Sequence, residues 1–143
     1  MKLLQQILNA KPHRLITVDA GATVLEALRI LAQYDIGALL VTDQGQPAGI
    51  FSERDLARKM VLLGREASNT PVRDVMSAKI IYVTLQQTVE DCMAIMTERH
   101  IRHLPVLAED GSVAGFLSIG DLVKEVISEK SVIIEQLIHY ITH

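Results

Sequence analysis

The chain has 143 residues, enough to bury a core without disulfide or metal staples. Its single cysteine, Cys92, excludes an internal disulfide and a thiolate metal cluster, and a net charge of -3 with 3% aromatic residues argues against nucleic acid as a partner. Half the residues are hydrophobic (49%), yet no apolar run approaches a membrane span and "MKLLQQILNAKPHR" is too short and polar for a signal peptide, so the expectation is a cytoplasmic protein with no membrane partner.

In chain order, the first element is an amphipathic helix with Leu3, Leu4, Ile7 and Leu8 on one side. From Leu15 to Val18 the sequence is β-rich. Thr23 with Glu26 three residues on then forms a capping box that opens a helix carrying Val24, Leu28 and Leu31 at helical spacing. A strand "ALLVT", a turn "DQGQP" and a strand "AGIFS" follow, and Ser52 starts a second helix expected to end near Leu63.

"LGREASNTPVRDVMSAK" begins with a glycine stop, contains turn formers, and leads through a short helical turn at "VRDVMS" into a second passage of the same elements. These are a β-rich stretch Ile80 to Val83, a helix opened by Thr88 and Asp91 with Val89, Met93 and Met96, strands "LPVLA" and "VAGFLS" about the turn "EDGS", and a helix from Ser118 to about Ser128. The two passages align at a spacing of about 65 residues. Identities include Thr23/Thr88, Val24/Val89, Ile36/Ile101, Val41/Val106, Gly49/Gly115, Ser52/Ser118 and Asp55/Asp121. A final amphipathic stretch carries Ile134, Leu137, Ile138 and Ile141. The terminal helices are expected to cover the core or a partner subunit. The boundaries expected are a lead-in over 1–13, a first repeat over 14–63, a linker and lead-in over 64–78, a second repeat over 79–128 and a C-terminal helix over 129–143. Each half is too small to bury both faces of its sheet, so the halves are expected to pack sheet against sheet about a pseudo-twofold axis.

The repeated pattern Gly, apolar, variable, Ser, two variable residues, Asp, seen in "GIFSERD" and "GFLSIGD", admits two readings. Ser-x-x-Asp at a helix start is itself a cap. The same geometry can hold a nucleotide: a helix N-terminus and a serine hydroxyl suit a phosphate, and an aspartate one turn in accepts two hydrogen bonds from ribose hydroxyls. On that reading Gly49 and Gly115 let a ligand approach the strand backbone. Arg54 and Arg58 follow the first serine and read either as surface charges or as phosphate ligands. Between serine and aspartate the first copy has Glu53 and Arg54 and the second Ile119 and Gly120, while the second has Arg102 and His103 where the first has Gly37 and Ala38. Nucleotide phosphates could thus be met from both repeats, and one well-formed charged site and one weaker or more apolar site are expected.

Together with "VRDVMSAK" and "RHLPV", these motifs resemble the CBS domain family over roughly residues 14 to 128. The resemblance implies an α+β fold of two tandem β-α-β-β-α repeats forming a CBS pair, or Bateman module, with amphipathic terminal helices. It implies a non-enzymatic sensor of an adenosine nucleotide (AMP, ADP, ATP or NAD; some members take S-adenosylmethionine), needing no metal, forming a homodimer and regulating another protein. It carries Ser52, Asp55, Ser118 and Asp121 over as phosphate and ribose contacts, and the surroundings of Val18, Ala38, Val83 and His103 as adenine slots. A structural scaffold whose sites stay empty is the alternative. His100 with His103, and His139 with His143, have spacings used in metal sites but lack a completing ligand. The match of "GFLSIGD" to a nucleophile elbow fails because its first glycine is one residue too far away. Cys92 is expected to be a buried, inert thiol.

Overall fold

The computed structural model describes residues 2–11 and 15–142. The expected boundary between residues 13 and 14, and His143 of the second histidine pair, lie outside them. The described chain divides into two compact units. Leu15–Ile81 forms one, and the N-terminal segment joins residues from Tyr82 onward to form the other.

The first unit contains β1 (Thr17–Asp19), α2 (Val24–Tyr34), β2 (Ala38–Asp43), β3 (Gln46–Ser52) and α3 (Glu53–Asp55), which widens into a π-helical turn over Leu56–Val61; the chain's first helix, α1 (Leu4–Ala10), belongs to the other unit. β1 runs parallel to β2, and β2 pairs antiparallel with β3. Both faces of β2 are shielded, so it reads as the unbroken apolar run Ala38 to Val41, each 3% exposed or less. The β2–β3 turn places Gln44 and Gly45 at φ of 51° and 78°, a left-handed pair whose second position glycine enters without strain. α2 starts on the Thr23 capping box, and the left-handed Asp35 ends it. Its innermost line is Val24, Ala27 and Leu31, with the expected Leu28 on the shoulder of the same core.

The second unit repeats this order with β4 (Val83–Thr84), α4 (Val89–Arg99), β5 (His103–Leu107), β6 (Val113–Ser118) and α5 (Ile119–Thr142). α4 starts on the Thr88 capping box and ends at a left-handed His100, so His100 and His103 do not share a helix. Among the described residues no group of three or more His, Cys, Asp or Glu could hold a metal ion, and no helix is long and apolar enough to cross a membrane.

One expectation is corrected. The last helix of the second repeat does not end near Ser128: α5 runs unbroken for 24 residues to Thr142, because nothing between Ser128 and Ser131 breaks a helix. As expected, the N-terminal helix covers a core, and the lead-in to the second repeat does so as well. Before the second repeat, Val72 and Val75 are buried in the first unit, with Val72 N–H donating to Ala22 O and Ser77 bridged to Ile50. Before the first repeat, α1 buries Leu4, Ile7 and Leu8 in the second unit, with Leu4 N–H donating to Gln87 O. Each lead-in therefore completes the core of the repeat it does not precede.

Candidate functional site

Each unit brings the end of its third strand, the start of its second and the start of its last helix to one place. Ser52 pairs with Ala38 across β2 and β3, and Ser118 pairs with His103 across β5 and β6. The link continues one residue on: Glu53 N–H donates to Gly37 O at 3.0 Å, and Ile119 N–H donates to Arg102 O at 2.9 Å. Duplicated sequence thus gives duplicated geometry, with Ala38 in one copy and His103 in the other beside the serine. The His103 ring lies 5.6 Å from that of Phe116.

Both Ser-x-x-Asp pairs are capping boxes. Ser52 N–H donates to Asp55 Oδ2 at 2.9 Å, and Asp55 N–H donates back to Ser52 Oγ at 3.4 Å. In the second copy the bonds are 2.9 Å from Ser118 N–H to Asp121 Oδ2 and 3.2 Å from Asp121 N–H to Ser118 Oγ. Both carboxylates also hold an ammonium, from different sources. Asp55 meets Lys59, one turn along its own helix, at 3.3 Å, and that lysine also donates to Val75 O at 3.0 Å. Asp121 meets Lys11, at the end of the N-terminal segment, at 2.8 Å, and Lys11 donates equally closely to Phe116 O. Burial opposes ionisation of Asp121. The Lys11 hydrogen bond, the Ser118 N–H and the Lys11 charge outweigh it, and its carboxyl titrates below the ordinary aspartate range.

The remaining site residues fall into two groups. Arg54, Arg58 and Arg102 are exposed. Val18 and Val83 are buried at 5% and 1%, opposite Val41 and Val106, three positions along the central strands from Ala38 and His103. Gly49 does approach backbone closely, but the backbone is the chain's own: a Cβ there would lie 2.7 Å from Ser77 O and 2.6 Å from the Met76 sulfur. Lys11 and Lys59 were missed from sequence. Lys59 at i+4 from Asp55 is a spacing that can be searched for, whereas nothing local points from Lys11 to Asp121. Cys92 is buried, and its thiol is pushed up to about 11 by burial and by the neighbouring Asp91.

The arrangement defines a class: a tandem α+β module in which each repeat presents a capped helix start and a half-buried serine and aspartate. The family model for the CBS domain matches residues 11–62 and 72–128, and the chain belongs to the CBS domain family as a two-repeat member. It is 39% identical over 124 residues to the CBS domain-containing protein CBSX3, mitochondrial, of Arabidopsis thaliana, a match covering 83% of this chain and 60% of that protein. Among solved structures, a protein with CBS domains from Burkholderia ambifaria superposes with a TM-score of 0.85 at 47% identity, covering 89% of this chain and 95% of that one. The CBS domain protein PAE2072 of Pyrobaculum aerophilum, complexed with AMP, shares the fold with a TM-score of 0.74 at 22% identity, over 89% of this chain and 99% of that chain. CBS domain proteins are in general non-catalytic regulatory modules that bind ligands.

Proposed function

We propose that this chain is a non-catalytic sensor of an adenine nucleotide, AMP, ADP, ATP or NAD, that acts as a homodimer and regulates a partner protein through a ligand-dependent conformational change. The observation that carries the reading is the placement, in each repeat, of a serine and an aspartate on the first turn of a helix beside the start of the central strand. Ser52 and Ser118 with the helix N–H groups would receive phosphate, and Asp55 and Asp121 the ribose hydroxyls. Ala38 and His103, with the backbone near Val18 and Val83, would flank adenine. Arg54, Arg58 and Arg102 are the exposed cations able to reach phosphate oxygens. The AMP complex of a protein with the same fold supports the choice of ligand class.

A ribose at Asp121 would have to share that carboxylate with Lys11, and at Asp55 with Lys59. Those ion pairs also favour a second reading, a constitutive scaffold in which both aspartates serve only as caps and salt-bridge partners. Calorimetry and thermal shift with AMP, ADP, ATP and NAD separate the two. Saturable stabilisation without turnover, weakened by Asp55→Ala or Asp121→Ala, is expected of the sensor. Absence of any shift with all four ligands identifies the scaffold.

A further inference from the structure

Over the last three turns of α5, every residue from Ser131 to Thr142 is exposed. Their sequence is nevertheless that of a buried helix. Projected at 100° per residue, Val123, Val126, Ile127, Ile133, Ile134, Leu137, Ile138, Tyr140 and Ile141 fall within an arc of about 160°. Only Lys130 interrupts it. Ile133, Ile134, Leu137, Ile138, Tyr140 and Ile141 are each 53 to 85% exposed. With Ile127 they present apolar surface on the order of 700 Å², above what a monomer normally leaves open and close to one side of a standard protein interface. The helix also continues beyond Ser128, where the family match ends.

We propose that this face of α5 is the contact by which two copies of the chain associate, the two helices packing antiparallel. Three features select a second copy. The seam follows a heptad, with Ile127, Ile134 and Ile141 in one layer position and Val123, Lys130 and Leu137 in the other, a self-complementary pattern. Past its first turn and away from the seam, α5 carries Glu125, Glu129 and Glu135 against the single Lys124, whereas helices that lie on anionic lipid carry mostly lysine and arginine there. The exposed area suffices for a stable interface. Lys130 sets the direction. In a parallel pair the two Lys130 ammoniums would face each other in one apolar layer. An antiparallel pair centred on Val132 sets Lys130 beside Ile134 of the partner copy, its stem packed and its head at the edge, and sets Ile127 beside Leu137 of the partner copy.

This inference rests on the homodimer in the reading above, and the test separates the two. The full chain is examined by sedimentation equilibrium at micromolar concentration beside Ile134→Glu and Leu137→Glu, whose fold is checked by circular dichroism. The wild type is expected to associate, and each variant to do so at least about 100-fold more weakly. A monomeric wild type overturns both ideas; an associated wild type with unaffected variants overturns only the α5 face. In oxidising buffer the double variant Ile127→Cys/Leu137→Cys is expected to cross-link between copies, and cross-linking of either single variant alone refutes the antiparallel register. Loss, in Ile134→Glu, of co-sedimentation of the wild type with phosphatidylglycerol vesicles would assign the face to a membrane and overturn the proposal.

Discussion

Replacing Lys11 by methionine keeps its apolar stem and removes an ammonium that closes the second unit from 110 residues away in sequence. Lys11 and Asp121 are 2.8 Å apart with side chains each 22% exposed, and the same ammonium donates to Phe116 O. A pair this shielded is screened less than a surface ion pair, and a charge-assisted hydrogen bond is worth about 1.5 to 3 kcal/mol. The single variant is therefore expected to lose about 2 kcal/mol. Asp121→Asn is the matching change, because its amide oxygen still accepts the Ser118 N–H and preserves the cap. It is expected to cost about 1 kcal/mol. The double variant should cost less than the sum, leaving a coupling of about 1 kcal/mol that persists in 0.5 M salt. Urea unfolding of the four proteins measures all three quantities. If the double variant falls within about 0.3 kcal/mol of additivity, the two side chains do not interact as the geometry implies and the account of Asp121 is wrong.

Three further outcomes follow from the same structure. The Asp121 carboxyl is held below its unfolded value of about 3.9, so its contribution to stability is complete above that pH and is lost as pH falls through the lower folded value. The stability gap between wild type and Asp121→Asn should be level from pH 7 to pH 5 and narrow at pH 3.5; an equal gap at pH 3.5 contradicts this. Gly49→Ala places a Cβ 2.7 Å from Ser77 O, which is backbone and cannot swing aside, so a loss of about 1 to 3 kcal/mol is expected by thermal unfolding, and wild-type stability would show that the Met76–Ser77 segment does not pack there. Cys92, 0% exposed with its thiol raised to about 11, should resist a thiol reagent in the native protein and react promptly in denaturant; rapid native labelling would mean that α4 opens readily.

The elements that local chemistry specifies were legible in the sequence. Thr23 with Glu26, Thr88 with Asp91, and both Ser-x-x-Asp pairs are caps whose partners lie three residues away, and all four form as read. The strands were legible for the same reason, since a turn such as Gln44–Gly45 fixes the register of the pair it joins. Duplication added what one copy cannot supply, because a match at Ser52 and Ser118 implies a match at Ala38 and His103, and strand pairing places each beside its serine. Two things were not legible. Where α5 stops depends on what packs against it, and an apolar pattern reads the same whether its partner lies within the chain or outside it. The reach of Lys11 to Asp121 is tertiary: it exists because the N-terminal segment completes the second unit's core, and no spacing records that. The same fact makes the two Ser–Asp starts unequal for a reason apart from Glu53 and Arg54 against Ile119 and Gly120. Asp55 draws its ammonium from its own helix, and that lysine is also held by Val75 O in the lead-in to the second repeat. Asp121 borrows its ammonium from the N-terminal segment, so any ligand that competes for that carboxylate also competes for the docking of α1.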